Sequence, residues 1–246
     1  GIMCLFPMEV DYYKKHGLKA AHVGHPLVTS NAKSASGQAF RAANDIPENG
    51  KTVGLFFGSR SSEFKNLSGT IKGAARLLHE VEGEIHIIAP TLPKLEYDVQ
   101  SVLKGFKFPV YVSANPNIKW EAFKACDVAI AVSGTVGLEL AYAGVPHIIT
   151  YKVNPITALI IKLMSKVKYA HLVNILLDKP IVPECLQGKC TSANIAKEVQ
   201  PILDYQEPKD EQISAFKELD NILGANDVQT PAQKAAKFII ECIESK

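Results

Sequence analysis

Between residues 51 and 151, five short apolar runs rich in β-branched residues, at 52–57, 85–89, 110–112, 128–132 and 147–151, alternate with stretches of helical periodicity. No other feature restricts the chain as much. Strands joined in turn by helices argue for a parallel sheet wrapped by those helices. Between the first two runs, Phe64, Leu67, Ile71, Ala74, Ala75 and Leu78 recur at steps of three and four, which marks one amphipathic helix. A second helix is expected within 90–107, starting no earlier than about Pro93, and a short one over 120–125. Asn115-Pro116-Asn117 marks a turn between them. Beyond Tyr151 the pattern is helical, with helices expected at 193–200, bounded by Pro201, at 212–222, and at 231–244 with Ala235, Phe238, Ile239 and Ile243 on one face. The fold class is therefore α/β, a Rossmann-like parallel sheet with helices on both faces, followed by C-terminal helices.

Upstream of this region, residues 2–6 read as the last strand of a domain whose earlier part is absent. Residues 28–50 are rich in Ser, Asn, Ala and Gly, with Pro47 and Glu48-Asn49-Gly50 as turn signals, and read as a linker carrying one short helix. The expected organisation is the end of a first domain (1–27), a linker (28–50), the Rossmann-like domain (51–205) and C-terminal helices (206–246). A hydrophobic content of 47% allows one good core. The net charge of +2 is too small to draw in nucleic acid by long-range attraction, so any anion is bound locally. The five cysteines are scattered without a Cys-x-x-Cys pair, which indicates neither a disulfide framework nor a zinc site and fits a reducing, cytosolic setting. No run approaches the roughly 18 apolar residues that span a bilayer. Residues 156–164 are apolar but lie among Lys152, Asn154, Lys162, Lys166 and Lys168. They read either as a helix on an anionic membrane surface with snorkelling lysines, or as a buried helix with solvated lysines at its end.

Two junctions carry candidate chemistry. Ser133-Gly134-Thr135 breaks the fourth run where a helix begins, and the unpaired N–H groups of a helix start can hold a diphosphate without a lysine. Glu139, one turn after Thr135 on the same face, places a carboxylate where two vicinal ribose hydroxyls could donate to it. The bland alternative is a plain helix cap and a solvated glutamate. Gly58-Ser59-Arg60 follows the first run at the same sheet edge. Gly58 admits a close backbone, Ser59 or Ser61 can cap the helix, and Arg60 offers a planar fork of donors to a phosphate. Two such junctions can converge on one diphosphate. Asn174 and Gln187 are amides set in apolar runs, suited either to a ligand oxygen or to a loop backbone. The histidines do not cluster at ligand spacing, and neither a metal nor a cofactor is assigned.

In order and spacing the chain resembles the lipid-A-disaccharide synthase family. The resemblance is carried by Leu5-Phe-Pro-Met-Glu9 with Tyr12 and Gly17, Val23-Gly-His-Pro-Leu27, Gly58-Ser-Arg60 with Glu63, and Ser133-Gly-Thr135 with Leu138-Glu139. Ala143-Gly-Val-Pro146, Tyr151, Pro155, Asn174-Ile-Leu176 and Val182-Pro-Glu184 with Gln187 complete it. Phe57, where the family usually has proline, and Val136-Gly137, where it often has Ala-Thr, depart from the pattern. The resemblance implies a metal-independent, inverting GT-B glycosyltransferase whose donor-binding half is represented here. Such an enzyme joins UDP-2,3-diacylglucosamine to 2,3-diacylglucosamine 1-phosphate, giving a β-1,6 disaccharide and UDP. By the same resemblance Arg60, with Gly58 and Ser59, faces the donor phosphates or the acceptor, Ser133, Gly134 and Thr135 the diphosphate, Glu139 the ribose, and Asn174 with Gln187 the cleft. The general base is expected in an amino-terminal acceptor domain, leaving this chain alone inactive. The expected partners are the UDP-sugar donor, the acylated glucosamine phosphate acceptor, an anionic membrane surface on the cytoplasmic side, and a second copy through the C-terminal helices, but no nucleic acid. A non-catalytic UDP-sugar-binding subunit and another GT-B UDP-sugar enzyme are the alternatives.

Overall fold

The computed structural model describes residues 1–153 and 168–244. The lysine-flanked stretch at 156–164 lies outside them. Six strands, β3 (Lys51–Phe56), β4 (Ile85–Pro90), β5 (Val110–Ser113), β6 (Val128–Val132), β7 (His147–Tyr151) and β8 (Glu184–Leu186), form one sheet in the order β5-β4-β3-β6-β7-β8. All five pairings are parallel. Successive residues of these strands point to opposite faces. On β6, Ala129 and Ala131 enter one core while Val128, Ile130 and Val132 enter the other. Both faces are therefore buried, which explains why the strands read as continuous apolar runs rather than alternating ones.

One face carries α3 (Ser61–Glu82), α4 (Glu96–Leu103) and α8 (Ser192–Asp204). The stripe expected on α3 is the stripe it buries, from Phe64 through Leu67, Ile71, Ala74 and Ala75 to Leu78. The other face carries α2 (Gly37–Ala43), α5 (Lys119–Lys124), α6 (Thr135–Tyr142), α7 (Leu172–Leu177), α9 (Gln206–Phe216) and α10 (Leu219–Leu223). Separately, β1 (Ile2–Cys4) and β2 (Ala20–His22) pair in parallel through α1 (Pro7–Lys15). The last helix, α11 (Pro231–Glu244), returns to this ribbon, and Lys19 Nζ donates to the Glu241 carbonyl at 3.2 Å.

Several elements differ from the sequence expectations. The helix at 193–200 does not stop at Pro201 but runs to Asp204. A proline inside a helix costs about 3 kcal/mol. Ile202 and Leu203, beyond it, are both buried, and burying each contributes about 1.5–3 kcal/mol, enough to offset that cost. The helix expected at 212–222 is two helices, α9 and α10, parted at Lys217 and Glu218 by short-range bonds from Lys217 N–H to Ser214 O and from Glu218 N–H to Ala215 O. The turn aims Leu219 and Leu223 into the core, where both are fully buried. The short edge strand β8 was not anticipated. The 28–50 segment is no loose connection. Phe40 and Ile46 are buried, and α2 approaches α5 so closely that a Cβ at Gly37 would lie 2.1 Å from the Lys124 carbonyl oxygen.

Arg41 of α2 ties this segment to the amino ends of β3 and β6. Its guanidinium donates to the Gly50 carbonyl at 2.9 Å, to Thr52 Oγ1 at 2.7 Å and to Asp127 Oδ2 at 3.0 Å, and its Nε to the Ala125 carbonyl at 3.2 Å. Asp127 Oδ2 also accepts the Thr52 N–H at 2.7 Å. Backbone carbonyls that precede two central strands are thereby satisfied by a side chain from outside the sheet.

Candidate functional site

From β3 the sheet grows outward through β4 to β5, and the chain then crosses back to β6 and grows the other way. Ligands of open α/β sheets lie at such a reversal, beyond the carboxyl ends of the strands. A cleft of about 500 Å³ opens at this point, a volume typical of small-molecule sites. Its walls are residues 56–60 with Glu63 at the end of β3, 90–93 at the end of β4, 113–119 apart from Asn117 with Ala122 and Phe123 at the end of β5, and 132–136 with Glu139 at the end of β6.

Gly58, Ser59, Arg60, Ser133, Gly134, Thr135 and Glu139 all line this one cleft. The two junctions singled out in the sequence thus converge, as expected. Their local bonding differs from expectation in two respects. Neither Ser59 nor Ser61 caps α3. The Glu63 carboxylate does so, with Oε2 accepting the N–H groups of Ser59 and Arg60 at 3.3 Å each and Oε1 accepting Arg60 Nη1 at 2.6 Å. Gly58 is required there: it has φ +84°, and a Cβ would lie 2.6 Å from Glu63 Oε2. Arg60 is otherwise open to solvent, which leaves its remaining N–H groups available. At the second junction the Ser133 N–H belongs to the sheet, donating to the Thr150 carbonyl at 2.9 Å. The groups left to a ligand are the first N–H groups of α6, from Thr135 onward. Among the described residues no atom lies within 4 Å of where a Cβ on Gly134 would sit, so none of them covers the backbone there.

The structure does not bring Asn174 to the cleft. The residue is buried, with Nδ2 donating to the Val182 carbonyl at 2.8 Å and to Glu184 Oε1 at 3.0 Å, while Oδ1 accepts the Val182 N–H at 2.9 Å. Its amide serves the loop before β8 and the first residue of β8, which corrects the ligand-reading role expected for it. Gln187 is likewise outside the cleft walls. It stands past the end of β8 in a left-handed conformation, φ +50°, with Oε1 accepting the Val153 N–H at 3.4 Å.

Lys119, a charged residue of the cleft, is not foreseen from the sequence. Its Nζ lies 2.7 Å from Glu139 Oε1. The stretches at 90–93 and 113–116 were also missed as walls, although prolines just past two predicted strands were visible signals of loops at the sheet edge.

Behind α6, two fully buried histidines meet. His147 Nε2 and His171 Nε2 are 3.0 Å apart, and His147 Nδ1 is 2.9 Å from the Val145 carbonyl. A carbonyl can only accept, so His147 carries its proton on Nδ1 and, when neutral, accepts at Nε2 from His171. Burial pushes His147 down to about 4 and holds His171 well below the ordinary imidazole range, the neighbouring His147 adding to it. Both rings are neutral near pH 7, and His171 Nδ1 has no partner among the described residues. The His171 ring lies against Gly137 in the first turn of α6, where a Cβ would come 2.3 Å from Cε1.

A family model described as lipid-A-disaccharide synthetase matches residues 1–238. Relatives named lipid-A-disaccharide synthase include those of Rhodospirillum centenum, 33% identical over 245 residues and covering 100% of this chain and 61% of the relative, and Paramagnetospirillum magneticum, 34% identical over 244 residues and covering 98% and 62%. The chain thus spans about three fifths of these relatives' length. Among solved structures, a UDP-GlcNAc 2-epimerase from Neisseria meningitidis bound to UDP-GlcNAc matches with TM-score 0.60 at 12% identity, over 99% of this chain and 61% of that one. A wall teichoic acid polymerase matches with TM-score 0.55 at 14% identity, over 99% and 56%. At such identities these structures show the fold alone, that of GT-B enzymes.

Proposed function

Since the chain belongs to the lipid-A-disaccharide synthase family, we propose that it forms the nucleotide-sugar donor site of a glycosyltransferase and that its cleft binds UDP-2,3-diacylglucosamine. The convergence of Arg60, the start of α6 and Glu139 on one cleft at the reversal of the sheet carries this reading. The diphosphate lies against the first N–H groups of α6, where the helix dipole favours negative charge, and within reach of Arg60. The ribose faces Glu139, whose carboxylate accepts from its hydroxyls. In the transfer, an acceptor hydroxyl oxygen of 2,3-diacylglucosamine 1-phosphate bonds to the donor sugar C1. The bond from C1 to the phosphate oxygen breaks, and UDP leaves with the electron pair. The charge gathering on the diphosphate is met by fixed donors, whose effect is larger in the transition state than in the ground state. We assign the reaction to the inverting, metal-independent class, and the base that takes the hydroxyl proton to the part of the relatives that this chain does not span. On that assignment the chain alone binds donor without turnover. Both substrates are acylated, so the reading places the protein against the inner face of a bacterial inner membrane. Among the described residues no helix is long and apolar enough to cross one.

Calorimetric titration of the purified chain with UDP and ADP tests the donor site: UDP is expected to bind in preference to ADP, and absence of UDP binding would remove the reading. Glu139→Ala is expected to weaken UDP about tenfold or more while affecting 2′-deoxy-UDP less, since a hydrogen bond to a charged group is worth about 1.5–3 kcal/mol. Equal losses for both ligands would detach Glu139 from the ribose. Arg60→Ala should weaken UDP relative to uridine by about tenfold, the effect of one charge-assisted contact. An unchanged ratio would take Arg60 out of the phosphate site.

A further inference from the structure

Lys119 follows directly on a 3-10 turn, Pro116–Ile118, and its N–H donates to the Pro116 carbonyl. Its side chain lies in the wall of the cleft, as does that of Glu139. Its Nζ lies 2.7 Å from Glu139 Oε1 and 4.5 Å over the Trp120 ring, with the Phe123 ring at 5.3 Å. Phe123 is in turn locked edge-on against Phe56 at 4.7 Å between centroids. Both members of the ion pair are partly exposed, Lys119 by 33% and Glu139 by 27%, so both are open to a ligand from the cleft.

The pairing has a chemical consequence. A carboxylate with Oε1 bonded to the ammonium still offers Oε2 as an acceptor, while the ammonium has three N–H groups and spends one on Glu139. An acceptor and a donor then stand side by side. A vicinal diol presents the complementary pair, one hydroxyl donating to the carboxylate and its neighbour accepting from the ammonium.

The geometry points to Lys119 and Glu139 acting together as a diol-reading pair, in which Lys119 both orients the carboxylate and donates to the second hydroxyl of a nucleotide ribose. This rests on the donor-site reading above and adds to it a residue that this reading does not need. A lone Glu139 would discriminate ribose from 2′-deoxyribose without Lys119.

The test is calorimetric titration of the chain and of its Lys119→Met, Lys119→Arg and Glu139→Gln variants, and of the Lys119→Met/Glu139→Gln double variant, with UDP and 2′-deoxy-UDP. Thermal melting confirms that each variant is folded. The expected result is a wild-type preference for UDP of about tenfold or more that falls to near unity in Lys119→Met and returns at least in part in Lys119→Arg. The double variant should lose no more preference than Glu139→Gln alone, as members of one unit do. A Lys119→Met variant that keeps the wild-type preference overturns the inference. So does one that loses UDP and 2′-deoxy-UDP equally, since that marks a phosphate contact. If Lys119→Met does not fold, a Lys119→Arg variant that loses the preference outright overturns it, whereas retention supports it. A wild-type chain that binds UDP without preferring it over 2′-deoxy-UDP defeats this inference and the ribose role of Glu139, and leaves the rest of the donor-site reading standing. A chain that binds no UDP defeats the donor-site reading and this inference with it.

Discussion

Asp127→Ala lowers the unfolding free energy of the chain by about 2–4 kcal/mol in a urea titration. Removing one partner of a buried charge pair costs about 3–5 kcal/mol, because the other charge is left without compensation. Here the Asp127 side chain is 31% exposed and that of Arg41 14%, so solvent returns part of the loss. What remains is large because Oδ2 serves two residues at once, the Arg41 guanidinium and the Thr52 backbone N–H. Its loss strips a partner from Thr52 at the start of β3 as well as from α2. Asp127→Asn keeps an acceptor in place and recovers part of the stability, though not the charge. A loss below about 1 kcal/mol for Asp127→Ala would show that water replaces the carboxylate and that α2 is held by its apolar contacts alone.

Gly137→Ala destabilises by about 1–3 kcal/mol, the usual cost of forcing an extra methyl into a packed interior. The new Cβ would meet His171 Cε1 at 2.3 Å, Nδ1 at 3.1 Å and Nε2 at 3.2 Å. The ring cannot simply turn aside, since Nε2 is bonded to His147 and the residue is fully buried. The alternative is a shift of α6, whose first turn borders the cleft, so UDP affinity should fall with stability. The contact is isolated by a double-mutant cycle in urea with His171→Ala. Removing the ring makes room for the methyl, so the combined cost should be smaller than the sum of the single costs by about 1 kcal/mol or more. Additive costs would show that the helix and the ring already give way independently.

The same two regions show what a sequence discloses and what it withholds. Strands β3, β4, β6 and β7 were legible because burial on both faces leaves unbroken apolar runs, and α3 because its apolar stripe is long enough to be unmistakable. Strand β8 was not, being three residues long at a sheet edge and containing Glu184. The extension of α8 past Pro201 depended on where Ile202 and Leu203 would be buried, which is a tertiary fact. In the cleft, Gly58-Ser59-Arg60, Ser133-Gly134-Thr135 and Glu139 were legible because each sits at a strand-to-helix junction, a position the alternation of elements defines. Asn174 was misjudged because a buried amide can serve a ligand or a loop, and only the Val182 contacts decide. Lys119 was invisible because it follows β5 while Glu139 follows β6, strands separated in the sheet by β4 and β3. Nothing in the linear order brings the two together.

Strands β3 and β6 carry different burdens at their two ends. Their amino ends hold Thr52 and Asp127 in the Arg41 network, and their carboxyl ends release Gly58 and Ser133 into the cleft. The strands are only six and five residues long, so the two burdens are separated by roughly 15–20 Å at about 3.3 Å per residue. At that range mutational effects are close to additive. Substitutions in the loops that line the cleft therefore draw little on the contacts that tie α2 to the sheet, and the two ends of the same strands can be altered nearly independently.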